Sequence, residues 1–322
     1  MLKKIRVDDS NQRLLIILIA FFFIACISKP GAFLNLPNFQ TMGRQVAEYG
    51  LMAIGCGLCL ISGGIDLSMV YVANLTGIIA GLMMQRMGGG TASILLAVLS
   101  GLLVGILCGL FNGCLVAWIK IPAMLATLGS YQLFMGISIV LSGGSTVSGI
   151  PAEFVAISRQ NLAGIPVPFL IFLAIVILLV AVLGRTIYFE RLCCTGTNLK
   201  AANFSGIRTK RVLMTTYMLS GLLSSIAGLL SLARINSAKA DFGSSYTMQC
   251  ILVAVMGGVN PDGGFGKVSG IALAVLILQM MTSYLNTFPT ISNYYRDLIW
   301  GVALIGIMIL NRALDKRKGK AR

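Results

Sequence analysis

Long charge-free stretches separate the charged residues of this chain and limit the folds that it can adopt. Of its 322 residues, 57% are hydrophobic and 11% are charged. A soluble domain carries roughly a quarter charged residues, so this composition cannot cover a water-exposed surface. Apolar runs of about 20 residues are typical of helices that cross a bilayer. The sequence therefore predicts an all-α polytopic membrane protein, with residues 1–322 forming a single transmembrane domain.

The charge-free stretches predict about ten transmembrane helices. The first follows the polar N-terminus and is expected to remain as a helix, because no small-x-small cleavage site of a signal peptide comes after it. Six spans precede a polar basic segment and four follow it. The predicted spans are 14–27, 49–65, 67–85, 87–119, 121–152, 160–184, 212–233, 242–261, 268–295 and 298–311.

The polar stretch at 185–211, here called the basic segment, must stand in water because charged side chains are costly in hydrocarbon. It reads RTIYFERLCCTGTNLKAANFSGIRTKR. When the N-terminus is placed inside, most of the 25 Lys and Arg residues fall in inside loops, as expected for cytoplasmic loops. The sequence therefore predicts that both termini, the basic segment and the basic tail 312–322 are cytoplasmic. The net charge of +15 then needs no nucleic acid partner.

Residues 198–207 of the basic segment, NLKAANFSGI, predict a short helix that ends at Gly206. Leu199, Ala202 and Ile207 offer an apolar face among basic residues. A short amphipathic helix outside the membrane either lies on lipid or enters a groove on another protein. Both alternatives stay open.

A second stretch, SGGIDLS at 62–68, lies between the second and third predicted spans. Ser62, Gly63 and Gly64 favour a helix break. Asp66 and Ser68 fit a cap of the next helix, with the carboxylate at its positive end. We interpret the stretch as a capped turn at the membrane edge; contact with a substrate or with a cytoplasmic partner is the alternative.

Two further glycine patterns have structural interpretations. MGGVNPDGGFGK at 256–267 contains a Gly-Lys pair, but Pro261 and Val268 stand where a phosphate-binding loop needs Gly and Ser or Thr. This stretch predicts a tight cytoplasmic turn without a nucleotide site. Glycines at 101, 105 and 109 recur every four residues, which favours close helix packing over the lining of a pathway.

Catalytic and metal-binding patterns are missing from the sequence. The chain has no His, and its ten acidic residues are scattered. Cys56 and Cys59 have redox or metal spacing but lie within a predicted span, where Cys acts as a small hydrophobe. Glu48 and Asp66 are placed at span edges, so the span interiors are predicted to be uncharged. Carriers driven by ion gradients usually bury ionisable residues, so any energy is expected to come from another protein.

Three stretches together resemble the permease subunits of ABC importers for ribose, xylose, galactose and autoinducer-2 type sugars. They are SGGIDLS at 62–68, LKAANFSGI at 199–207 and MGGVNPDGGFGKVSG at 256–270. YMLSGLLSSIAGLL at 217–230 is similar to the family's preceding helix. The resemblance covers nearly the whole chain. In one departure, Lys200 stands where many ABC permeases carry the Glu of Glu-Ala-Ala.

The resemblance implies a type II permease architecture, similar to the vitamin B12 importer, in a bacterial inner membrane. It implies a second permease subunit (identical or a paralogue), two ABC ATPase subunits that bind ATP and Mg, and an extracytoplasmic sugar-binding protein. This chain is then a transport subunit without enzymatic activity, cofactor or metal. The implied mechanism is alternating access driven by displacement of 198–207. The alternative is a ten-helix secondary carrier driven by an ion gradient.

The resemblance also implies roles for particular residues. The family motif comprises Ser62, Gly63, Gly64, Asp66 and Ser68. The expected contacts with the ATPase are Asn198, Lys200, Ala201, Ala202, Ser205 and Gly206. The polar residues expected to line a substrate path are Asn74, Asn112, Thr127 and Gln279.

Overall fold

Helices account for most of the fold, as the apolar runs predict. The computed structural model describes residues 9–288 together with 295, 298, 301 and 302. Its helices are α1 (Asp9–Ser28), α2 (Pro30–Phe33), α3 (Leu36–Ile61), α4 (Met69–Arg86), α5 (Thr91–Ala117), α6 (Ala123–Ser142), α7 (Ala152–Arg159), α8 (Val167–Arg185), α9 (Ile187–Thr197), α10 (Leu199–Phe204), α11 (Thr209–Ile235), α12 (Tyr246–Met256) and α13 (Val268–Leu285).

Within the described part of the chain, four strands of two residues each form two small antiparallel pairs. Strand β1 (Val147–Ser148) pairs with β4 (Ser237–Ala238). Strand β2 (Asn161–Leu162) pairs with β3 (Ile165–Pro166) through a tight turn at Ala163 and Gly164, both of which have positive φ. Such two-residue turns match the twist of a hairpin. The strands therefore shape loops between helices rather than forming a layer of their own.

Each of the first nine predicted spans contains a helix of eleven or more residues. Among the described residues, six helices are long and apolar enough to cross a bilayer: α1, α5, α6, α8, α11 and α13. Helix α12, with 11 residues, is too short to span on its own. The predicted span 298–311 lies almost entirely outside the described residues, and so does the tail 312–322. The count of ten helices and the type II architecture stay predictions.

Helix α3 begins at Leu36, thirteen residues before the predicted span. The side chain of Asn35 caps its first turn by accepting a hydrogen bond from Asn38 N. The placement of Glu48 at a span edge is therefore wrong, because this residue lies in the middle of α3 and is 1% exposed. The predicted spans are divided at every charged residue. A charged residue that pairs with a distant residue inside the fold, as Glu48 does, therefore makes a predicted span too short.

Helix α11 lies at the centre of the bundle and packs against α3, α4 and α5. Its contact with α5 depends on glycines. A Cβ added to Gly105 would lie 2.6 Å from the carbonyl oxygen of Gly221, and one added to Gly109 would lie 2.8 Å from the Cα of Met218. These backbones approach closely because no side chain separates them, which confirms the packing interpretation of these two glycines.

The start of α1 and the end of α3 lie at the end of the bundle that carries the basic segment, here called the basic end. Asn11 Nδ2 donates to Ser269 Oγ at the start of α13 (2.9 Å). Gly264 N donates to Ile61 O at the end of α3 (2.8 Å). The pair β1–β4 lies at the opposite end, where Phe154 of α7 packs in a cluster with the last turns of α11.

Candidate functional site

The basic segment forms α9 and α10, and α10 ends as predicted. Asn198 Oδ1 accepts a hydrogen bond from Ala201 N (3.0 Å), and Gly206 has a φ of +80° that favours glycine. Ala202 is buried, so its methyl group faces the protein. Leu199 of the predicted apolar face is 50% exposed, and the other exposed apolar side chain of α10 is Phe204, which is 93% exposed. Phe204 is not one of the residues predicted to form the apolar face.

The remaining predicted ATPase contacts lie on the outside of α10. Asn198, Lys200, Ala201, Ser205 and Gly206 are all exposed. Helix α10 packs on α9 and α11, so that its outer face is free to meet another molecule. The structure therefore presents most of the predicted contact residues together, with Ala202 as the exception.

Three stretches that are far apart in sequence meet at a group of glycines, here called the glycine junction: Gly63, Gly196, Gly263 and Gly264. A Cβ on Gly63 would lie 3.3 Å from the Cα of Gly196. A Cβ on Gly263 would lie 2.7 Å from the Cα of Gly63, and one on Gly196 would lie 2.6 Å from Gly264 N. Only residues without side chains permit such an approach. The glycine junction is thus the place where three segments touch one another: the loop at 62–68, the end of α9 and the turn at 256–267.

Asp66 fastens the loop at 62–68 to the neighbouring helices. It is 2% exposed, and its Oδ1 accepts hydrogen bonds from Ser68 N (3.0 Å) and Ser68 Oγ (2.7 Å). Its Oδ2 accepts from Ser220 Oγ of α11 (2.7 Å). Asn112 of α5 donates to Ser68 Oγ (2.7 Å). The network joins this loop to both α5 and α11.

The predicted side-chain cap of α4 is wrong. Ser68 occupies the N-cap position, but its side chain makes no capping hydrogen bond. Its hydroxyl is already engaged by Asp66 and Asn112. The carboxylate of Asp66 bonds the backbone two residues ahead, as in an Asx turn, and otherwise faces α11.

Replacing Asp66 with alanine is expected to lower the free energy of unfolding by about 1–3 kcal/mol, because the hydroxyls of Ser68 and Ser220 lose a buried acceptor. Asparagine should have a smaller effect, since the Ser220 hydroxyl can accept from the new amide. Thermal unfolding of the purified variants measures the difference. Equal losses in the two variants would contradict this role of the hydrogen bonds.

The same residue predicts a pH dependence. Burial raises the pKa of the Asp66 carboxyl, and hydrogen bonds from Ser220 and Ser68 oppose that rise only in part. The folded protein then holds this proton more tightly than the unfolded chain, so the contribution of Asp66 to stability falls as pH rises from about 4. We expect wild type to lose stability relative to Asp66→Asn along such a pH series. A constant difference between the two proteins would contradict the raised pKa.

Two of the four predicted path residues lie beside this loop. Asn112 contacts Ser68, and Thr127 Oγ1 of α6 donates to Ile65 O (3.1 Å). Tyr217 OH donates to the same carbonyl (3.2 Å). Asn112 and Thr127 thus hold the loop in place, and a role in a substrate path stays a prediction for both.

The other two path residues lie elsewhere. Asn74 Nδ2 donates to Ala240 O (3.0 Å) and Phe242 O (2.9 Å), which holds the loop before α12. Gln279 Nε2 donates to Gln45 Oε1 (2.7 Å) between α13 and α3. The structure therefore does not bring the four residues to one surface.

An ion pair between a buried carboxylate and a guanidinium that is 25% exposed was not predicted from the sequence. Both carboxylate oxygens of Glu48 in α3 accept hydrogen bonds from Arg234 in α11, with Nη2 and Oε2 2.9 Å apart. Arg234 lies one residue beyond the predicted span 212–233, but it belongs to the last turn of α11. The helix-start signal at Asn35 and Pro37 could have placed Glu48 inside a helix. No local pattern would have identified its partner.

Comparison with known proteins identifies a family and several relatives. The family described as branched-chain amino acid transport system / permease component matches residues 39–308. The autoinducer 2 import system permease protein LsrC of Yersinia pseudotuberculosis serotype O:1b (strain IP 31758) is 30% identical over 315 residues, which are 98% of this chain and 88% of that protein. The protein of the same name from Yersinia pestis (strain Pestoides F) has the same identity and coverage. No solved structure matches the chain.

The matched region of the family contains the glycine junction, the loop at 62–68 and α10. The resemblance to importer permeases is therefore confirmed at the level of the family. The chain belongs to the family of permease components of the branched-chain amino acid transport system class, and it is a transport subunit of the membrane.

Proposed function

We propose that this chain is the transmembrane permease subunit of an ATP-driven ABC importer. It moves a monosaccharide, of the ribose-like or autoinducer-2 type, by alternating access. A separate ATPase hydrolyses ATP on the cytoplasmic side, and an extracytoplasmic binding protein delivers the sugar. The names of the matching Yersinia proteins and the family resemblance of the loop at 62–68 support this assignment.

The glycine junction is the observation that carries the proposal. Helix α10 follows α9 after Asn198, and Gly196 near the end of α9 lies against the backbone of Gly63 in the loop at 62–68. Asp66 links that loop to α11, the central helix. Close-packed backbone contacts cannot absorb a displacement as flexible side chains do, and packed interfaces switch between discrete arrangements. A push on α10 would therefore reach the bundle interior.

Buried charge does not separate this proposal from the secondary carrier. Glu48 is buried in the middle of α3, so the expectation of uncharged span interiors is wrong, whereas Asp66 is buried in the loop between α3 and α4. Reconstitution decides between the two functions: proteoliposomes holding the chain with its ATPase and binding protein are tested with labelled ribose, galactose and autoinducer-2. ATP-dependent uptake is expected. Uptake driven by a sodium or proton gradient without an ATPase would overturn the importer proposal.

Replacing Phe204 with alanine is expected to weaken binding of the ATPase by about 30-fold, on the scale of an interface hot spot. Phe204 is 93% exposed, so the bundle itself loses little packing. The affinity of the purified ATPase for the detergent-solubilised chain measures the effect. The matched control is Leu162→Ala, which removes a 67% exposed side chain from β2, away from α10. Equal affinities for the two variants would exclude Phe204 from the contact.

A further inference from the structure

A cavity of about 430 Å³ lies between α1, α3, α8 and α13. Its size falls within the range of roughly 300–1,000 Å³ that is typical of ligand pockets. Almost all of its walls are carbon, which does not suit a sugar, because the hydroxyls would lose their hydrogen bonds to water. Its apolar lining includes Leu18, Phe39, Val46, Phe169, Leu276 and Met280.

The cavity opens on the outer surface of the helix bundle. Leu36 and Ile165, which line it, are 61% and 43% exposed. Helices α1 and α8 are much less buried than α11 and α13, as expected of helices that face lipid. An empty apolar space would lose dispersion contacts along its lining. Acyl chains are the apolar material that a bilayer supplies there.

An arginine that forms no ion pair with a carboxylate of the described residues lies next to the cavity. Gln40 Nε2 donates to Gly164 O (3.3 Å), which holds the β2–β3 turn over the cavity wall. Arg44 follows the lining residue Gly43, and its Nη2 is 3.4 Å from Asn161 Oδ1 of the same hairpin.

The guanidinium of Arg44 has unused hydrogen-bonding capacity. Its Nε is buried and makes no hydrogen bond to any described residue. The two ion pairs found in the described part of the chain involve other residues. A buried donor without a partner indicates a missing acceptor. Arginine is well suited to phosphate, because its planar fork can donate two parallel hydrogen bonds.

We propose that the cavity binds a membrane glycerophospholipid. One acyl chain lies along the apolar lining, and the phosphate accepts hydrogen bonds from Arg44. The bound lipid fills the space that α1 and α8 leave between them and thereby holds α1 against the bundle. The site lies apart from the glycine junction, although Gln279, one of the predicted path residues, is among the residues that line it.

Native mass spectrometry of the full-length, delipidated protein tests the site with two probes. Palmitoyl-oleoyl phosphatidylglycerol carries the phosphate, and palmitoyl-oleoyl glycerol has the same chains without it. Arg44→Gln is expected to weaken binding of the phospholipid about tenfold, on the scale of one charge-assisted hydrogen bond, and to leave the diacylglycerol unchanged. Leu276→Trp, which fills the cavity, is expected to abolish binding of both probes.

Two further measurements make the result decisive. Arg159→Gln removes an exposed cation from the last turn of α7 and should bind both probes like wild type. Arg44→Lys keeps a charge and should recover part of the phospholipid affinity. Phospholipid binding that neither Arg44→Gln nor Leu276→Trp changes would overturn the proposal. So would a shift from dimer to monomer in Leu276→Trp with bound lipid unchanged, because a second copy of the chain would then cover the cavity.

Discussion

Replacing Arg234 with methionine is expected to lower the free energy of unfolding by about 3–5 kcal/mol, the usual effect of removing one partner from a buried ion pair. Glu48 is 1% exposed, and both of its carboxylate oxygens bond the guanidinium of Arg234. Without Arg234, this carboxylate must take up a proton or draw water into the bundle. Thermal or chemical unfolding of the detergent-purified protein measures the loss.

A double-mutant cycle separates the ion pair from other effects of the substitution. Glu48→Gln combined with Arg234→Met leaves no buried charge and should recover much of the lost stability. Lys239→Met is the matched control, because it breaks the pair of Lys239 with Asp241, whose side chains are 57% and 52% exposed. Lys239→Met should change the free energy of unfolding by no more than about 1 kcal/mol. If Arg234→Met is as mild as Lys239→Met, the pair does not stabilise the bundle.

Replacing Gly196 with alanine is expected to reduce ATP-driven uptake by tenfold or more. The new Cβ would lie 2.6 Å from Gly264 N and would also overlap the carbonyl of Ile61. These two groups form the hydrogen bond that holds the glycine junction together (2.8 Å). Overpacking costs about 1–3 kcal/mol in typical cases, so the protein should still fold and insert while the loops at the junction move apart.

Gly184→Ala is the control for this experiment. Gly184 lies near the end of α8, and a Cβ added there meets nothing within 4 Å. Uptake by the control should match wild type when the amounts of inserted protein are equal. Full uptake by Gly196→Ala would show that the junction does not transmit movement. Equal losses in both variants would indicate a general effect of alanine in this region.

The helices and the end of α10 could be predicted from the sequence because they depend on local properties. Uninterrupted apolar residues predicted nine segments that are helical, since each helix satisfies its own backbone hydrogen bonds. The limits of α10 followed from Asn198 and Gly206, which act on backbone atoms a few residues away. The sequence also indicated the loop at 62–68, the basic segment and the turn at 256–267, which meet at the glycine junction, although the contact uses Gly196 and not the stretch 199–207.

Only the tertiary structure showed that the three loops meet at the glycine junction and that the buried Glu48 pairs with Arg234. Glu48 and Arg234 are 186 residues apart. A local sequence pattern does not indicate which distant side chain pairs with a buried charge. Gly63, Gly196 and Gly264 likewise look like ordinary turn residues until three loops pack against one another. Local hydropathy and capping determined which segments are helical. The packing around α11 decided which loops touch, because close approach depends on the shapes of both surfaces together.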